Sequence, residues 1–183
     1  KFQTLRDSFF STGGLAAVHS SGRDRDSIWN GLQRKETYGT SGDRILLWFD
    51  LISEPSDIPM GGTAETTINP IFKVKAVGAF KQKPGCPDYS STNITDEEIE
   101  RICKNECYNP SDERKIITRI EVIKVTPQAF KGEQVDGLIS DPWKVFNCEP
   151  NQQGCEVEFT DEEFNSASRD ASYYVRAIQE LSP

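Results

Sequence analysis

Apolar positions along the chain follow two periods. Over 25–36 ("RDSIWNGLQRKE") Ile28, Trp29 and Leu32 form one helical stripe, and Asp26, Gln33, Lys35 and Glu36 lie outside it. That spacing predicts an amphipathic helix, with Asp24 as its N-cap. Before it, "LAAVH" (15–19), entered through Gly13 and Gly14, reads as a short buried strand. Strand, loop, helix, turn, strand is the grammar of an α/β unit. After residue 44 the period drops to two. Residues 45–52 form a nearly continuous apolar strand, and 71–77 place Phe72, Val74 and Ala76 on one face. Residues 116–125 set Ile116, Ile120 and Val122 opposite Arg119 and Glu121. With 143–148, 155–159 and 171–178, these segments predict an antiparallel β-sandwich.

The segments between are also readable. Residues 80–113 are a long insertion holding three cysteines and a helix of about ten residues, opened by a Thr95–Glu98 capping box. Thr160 and Glu163 suggest a second box. In the turn 34–44 ("RKETYGTSGDR"), Gly39 and Gly42 are expected at positive φ, while Thr37, Thr40 and Ser41 cap freed backbone groups. That makes the turn a hinge. The functional alternative has the amides of Thr40, Ser41 and Gly42 holding an anion with Arg44.

Composition narrows the classes. The 183 residues are 36% hydrophobic and 27% charged, which permits a packed core. The net charge of −8 argues against nucleic acid as a partner. No apolar run approaches the roughly 20 residues of a membrane-spanning helix. The chain starts at Lys1 with no basic-then-apolar leader, so it is expected to be a piece of a longer product. Five cysteines are many for a cytosolic domain. Cys148 and Cys155 flank "EPNQQG" like the neck of a hairpin, which suits a disulfide. Cys103 and Cys107 are four apart on the expected helix, and Cys86 can pair with either, leaving one cysteine over. The rival is zinc held by Cys86, Cys103 and Cys107, without the paired CxxC spacing that would make it strong. Disulfides are the expectation, and with them a periplasmic or extracellular location.

Catalytic signatures are scarce. His19 is the single histidine, too few for a multinuclear metal centre in this chain. There is no P-loop, dinucleotide fingerprint, GxSxG elbow or HExxH helix. The 29 acidic residues show no spacing that marks a catalytic pair. His19 ends its strand, where α/β folds open their clefts, so it is a cleft-rim candidate with Arg23 and Arg25 beside Ser20 and Ser21. The plainer alternative is a half-buried histidine bonded to backbone.

The run "GGLAAVHSSGRDRDSIWNGLQRKETYGTSGDRILLWFDL", followed by "MGG" at 60–62, resembles the C-terminal part of a large bacterial family catalogued only as a domain of unknown function. Gly14, Leu15, Val18, Arg25, Ile28, Trp29, Leu32, Arg34, Glu36, Tyr38, Thr40, Ser41, Gly42, Arg44 and Ile45 carry the pattern. "RIEVIKV", "GEQVDGLI" and "YYVRAIQE" sit where that family has its closing strands. The N-terminal part of such proteins is similar to PHP-type metal-dependent hydrolases, more loosely to their carbaryl-hydrolase-like branch.

The resemblance implies a fold of mixed α/β and mainly β character. Residues 1–43 would be the last strand-helix unit of an α/β barrel, and 44–183 an antiparallel β-sandwich. It implies a divalent metal held by His and Asp clusters upstream of Lys1, no metal or cofactor in this chain, and no ligand role for His19. The partner would be the N-terminal barrel of the same protein, and the reaction phosphoester or amide hydrolysis. A homo-oligomer is compatible with this. The rival is a non-catalytic β-sandwich, a binding or structural module of an exported or surface assembly. Its aromatic platform would be Trp143, Tyr173 and Tyr174, residue types that more often pack in a core.

Overall fold

The computed structural model describes residues 13–104 and 107–181, so residues 1–12 of the expected N-terminal unit lie outside the described residues. It is mainly β, with antiparallel sheets and few helices. Strand β1 (Leu15–Val18), helix α1 (Arg25–Gln33) and strand β2 (Thr37–Thr40) come first. A four-stranded sheet has the order β10-β5-β3-β4, from Cys155–Thr160, Ile71–Val77, Leu46–Leu51 and Ile58–Pro59. A three-stranded sheet has the order β11-β8-β9, from Ser172–Gln179, Ile117–Val125 and Ile139–Asn147. The insertion carries a ribbon of β6 (Phe80–Gln82) with β7 (Pro110–Arg114), and helix α2 (Asp96–Cys103) between them. A single turn, α3 (Phe164–Ala167), precedes β11.

The two larger sheets share one core, as in a β-sandwich. Leu47, Phe72, Val74, Ala76 and Phe159 come from one sheet and Ile117, Ile120 and Val122 from the other. Phe72, Val74 and Ala76 fall inward as their period-two spacing requires. Strand β8 does not keep its expected phase: Ile117, not Ile116, enters the core. Against β11, Ile117 faces Gln179 and Arg119 faces Ile178, so Thr118 is an extra residue. A bulge at this point moves the residues before it to the other face. Strand β9 begins four residues earlier than expected and includes Pro142, which an edge strand tolerates because its outer amides need no partner.

The first forty residues differ more. No part of an α/β barrel is seen among the described residues; β1 pairs antiparallel with β2, Leu15 facing Thr40 and Val18 facing Thr37. The helix stops earlier than expected because Lys35 turns left-handed at φ 60°. Residues 37–40, expected as turn, are strand, and Gly39 lies extended within it, leaving positive φ to Gly42 alone. Helix α1 also buries an unexpected face. Its one buried residue is Gly31, where a Cβ would stand 2.4 Å from the His19 carbonyl oxygen and 2.8 Å from Val18 Cγ2. The apolar stripe turns outward, with Trp29 59% exposed and Ile28 and Leu32 exposed beside it.

Local capping signals fare unevenly. Asp24 caps α1, accepting from Ser27 N–H, and the Thr95–Glu98 box closes α2. The Thr160–Glu163 box is absent, because the Asp161 carboxylate takes the Glu163 N–H instead. Gly31→Ala would gain up to about 1 kcal/mol in an open helix. Here it is expected to lower the melting temperature, because helix and strand must separate to admit the methyl group. A thermal melt that rises would show that Gly31 is not the packing point.

Candidate functional site

The turn 40–44 joins three parts of the molecule. Thr40 Oγ1 accepts from the Gly42 amide at 3.3 Å. Asp43, which sequence reasoning passed over, accepts from the nearly buried Lys115 Nζ at 2.8 Å and from Gln179 Nε2. Gln179 Oε1 accepts in turn from the Ala79 amide. The Arg44 guanidinium lies 3.9 Å above the Tyr108 ring. Ser41 is exposed at the tip. The turn is thus fastened to the insertion and to β11.

His19 sits at the other end of the β1–β2 ribbon, packed against β3. Its Nε2 lies 2.8 Å from the Leu47 carbonyl oxygen, and its ring packs between Tyr38 and Trp48 at centroid distances of 5.6 and 5.8 Å. Tyr38 OH donates to the Ile45 carbonyl at 3.0 Å. These contacts tie the β1–β2 ribbon to β3. Burial, then the charge of Asp57, pushes the Asp50 carboxyl above its ordinary range, against the opposing pull of His19 and Lys73. Arg23 and Arg25 are exposed at the start of α1. The structure does not bring these candidates into one site: Thr40 faces Leu15 and His19 lies past Val18 at the other end of the ribbon, Arg44 stacks on Tyr108, and Arg23 and Arg25 stand apart.

Beside the seam between ribbon and β3 runs a cleft of about 820 Å³. One wall is Tyr38, Phe49 and Leu51, another the loop from Met60 to Thr66, and the far wall Asp170 to Val175. The loop wall is held close to the ribbon by Gly61, at φ 85°, where a Cβ would come within 2.3 Å of the Lys35 carbonyl oxygen. The lining mixes aromatic and aliphatic surface with Lys35, Glu65 and Asp170. Tyr174 is exposed along it, whereas Trp143 and Tyr173 pack on the core, so no three-ring platform forms.

The most buried charge in the described residues is joined to the cleft wall through Tyr173. Asp161 has no exposed surface. It follows β10, and its Oδ2 accepts from Lys124 Nζ on β8 and Tyr173 OH on β11, both in the other sheet, while Oδ1 accepts from the Glu163 amide. Lys124 Nζ also lies 5.1 Å from the Trp143 ring centroid. Burial alone pushes the Asp161 carboxyl up, but the hydrogen bonds from Lys124 and Tyr173 and the Lys124 charge outweigh it and hold it below the usual value. Burial and the Asp161 carboxylate push the Tyr173 phenol far up, so it stays a donor. A signal for this cluster existed: Lys124 follows Ile120 and Val122 in phase, and Asp161 follows Phe159.

The cysteines divide as expected in number. Cys148 is bonded to Cys155 and Cys86 to Cys107, and Cys103 is the free one. The helix does not carry both Cys103 and Cys107, since Lys104 turns left-handed at φ 54° immediately after Cys103. The sulfurs of Cys86, Cys103 and Cys107 all lie within 4.8 Å of one another.

Residues 2–50 match a family described as "Protein of unknown function (DUF3604)". The match covers little more than a quarter of the chain and, among the described residues, runs from β1 through α1 and β2 into β3. No curated protein and no solved structure matches.

The Asp161 cluster has a pH signature. A carboxyl held below its unfolded value stabilises the fold above that value and loses the effect as pH falls through the folded one. Unfolding free energy is therefore expected to drop as pH falls below roughly 4. Asp161→Asn should be less stable at neutral pH and should flatten this acid limb in urea titrations; an unchanged limb would remove Asp161 from the account.

Proposed function

We propose that this chain is the non-catalytic, β-rich C-terminal module of a larger hydrolase, docked through the outer face of α1 on the part that bears the reactive centre. The observation that carries the reading is the outward stripe of Ile28, Trp29 and Leu32. An amphipathic helix normally turns such a stripe inward, and here the inward face is Gly31. The stripe lies inside the stretch that matches the family of unknown function, which favours a covering body from the same protein.

The resemblance to PHP-type enzymes supplies the chemistry of this proposal: a metal-dependent cleavage of phosphoester or amide bonds, with the metal held by the upstream barrel. The chain's own part is mechanical. His19, Tyr38 and Asp43 lock the ribbon and turn to the sandwich, so α1 is presented on a rigid base. Two bridged cysteine pairs are compatible with an oxidising, extracytoplasmic setting, and periplasmic or secreted residence belongs to the same proposal. Among the described residues no helix is long and apolar enough to cross a membrane.

The cleft favours a second reading, a binding module for an extended ligand that lies against Tyr174 and the Met60–Thr66 loop. It needs no upstream barrel.

One measurement tests what the two readings share, and a second separates them. With Mn²⁺ or Zn²⁺ and a chromogenic phosphoester, the isolated chain is expected to show no turnover above the blank; turnover would end the non-catalytic reading. In the full-length protein, Trp29→Ser should cost docking about 2 kcal/mol, the scale of one large apolar side chain, and speed limited proteolysis. The isolated chain should melt at an unchanged temperature. Equal proteolysis of both full-length forms would favour the binding module, which Tyr174→Ala should then weaken.

A further inference from the structure

The three sulfurs in the insertion stand in a relation that the other pair lacks. Cys148–Cys155 is a closed bridge with no third sulfur in its cluster, whereas Cys86–Cys107 has the free thiol of Cys103 within 4.8 Å of both its atoms. All three residues are half-buried, so the group is neither sealed in the core nor fully displayed. We propose that Cys86, Cys103 and Cys107 form a thiol–disulfide exchange centre, in which the bridge migrates among the three and opens to small or protein-borne thiols.

The backbone that delivers the sulfurs is held by more than the bridge. Strands β6 and β7 pair at the neck of the insertion. Just beyond it, Asn109 O accepts from the Lys83 amide at 2.7 Å, and the Asn109 amide donates to Gln82 Oε1 at 2.9 Å. The Asn109 side-chain amide donates to the carbonyls of Pro84 and Gly85 at 3.2 and 3.4 Å. The stems of Cys86 and Cys107 are thus clamped together by hydrogen bonds as well as by the bridge. Cys103 is set by the capped helix α2, which ends at the left-handed Lys104 immediately after it. Opening the bridge leaves three sulfurs in one place, so re-closure in any pairing is an intramolecular step at high effective concentration.

The step balances without an outside reagent. The Cys103 thiolate attacks Cys86 Sγ; the Cys103–Cys86 bond forms, the Cys86–Cys107 bond breaks, and the electron pair leaves on Cys107 Sγ. Cys107 then takes up the proton that Cys103 released. Attack at Cys107 Sγ frees Cys86 in the same way. An external thiol attacks one sulfur of the bridge and stays on it as a mixed disulfide, the other sulfur leaving as the thiolate and taking the proton; attack by that thiolate or by Cys103 on the mixed disulfide expels the external thiol again. There is no net oxidation in either case.

The test uses the intact chain, unreduced. After incubation near pH 8 and an acid quench, free thiol is alkylated and the bridges are mapped by peptic digestion and mass spectrometry. Label is expected on Cys103 and also on Cys86 or Cys107, while Cys148 and Cys155 stay unlabelled. The cysteine set free by a bridge tenfold less favoured would still carry roughly a tenth of the label. Cys86→Ser and Cys107→Ser are each expected to form the one remaining bridge to Cys103. Label confined to Cys103 after prolonged incubation, with both variants left unbridged, would overturn the proposal. So would a chain isolated with one bound zinc and no Cys86–Cys107 bridge, which would mark a trithiolate metal site instead.

Discussion

The Asp161 carboxylate is the point on which the sandwich closes. A carboxylate without water is costly unless paired and fully hydrogen-bonded, and here its partners come from the opposite sheet. Lys124 and Tyr173 can reach it only when β8 and β11 lie correctly across β10, so the cluster reads out the alignment of the two sheets. Among the described residues no buried side-chain nitrogen or oxygen is left without a partner. Apolar packing of Phe72, Val74, Ile120 and Val122 would tolerate some sliding, whereas a satisfied buried ion pair tolerates little. The cost of burying this charge is thereby turned into specificity of sheet alignment, and Tyr173, which also lines the cleft, is fixed by it.

Much of the sandwich was legible because period two is a local property. Phe72, Val74 and Ala76 point inward for the reason their spacing states, and Asp24 and Thr95 cap helices through contacts within three residues. What escaped was decided at long range. The slip at Thr118 exists because β11 meets β8 with one residue too few, which the β8 sequence alone does not record. The Thr160 cap lost to Asp161, drawn into place by a lysine 37 residues away. Residues 37–40 look like a turn by composition, and become a strand because β1 offers them an edge.

The candidate site was legible in the same uneven way. The Cys148–Cys155 bridge follows from seven residues of separation and a turn between, whereas the choice among Cys86, Cys103 and Cys107 depends on where helix α2 ends. His19 was visible as the sole histidine, and its neighbours Tyr38 and Trp48 were not, since the seam that joins them is tertiary. Helix α1 gives the sharpest mismatch. Its stripe was read correctly, but the direction it faces was set by Gly31 meeting the His19 carbonyl.

Pro142 in strand β9 has a consequence for how these molecules meet in a crowded solution. A sheet ending in a regular strand offers a neighbour a ladder of amides and carbonyls, the usual start of runaway strand addition. A ring nitrogen carries no hydrogen to offer, and the pairing of β9 with β8 is already irregular beside it, between Val122 and Lys124. At the far side of the other sheet, β4 is only two residues long. Strand addition is therefore disfavoured at β9 and β4 and falls to the longer borders opposite them, β11 and β10.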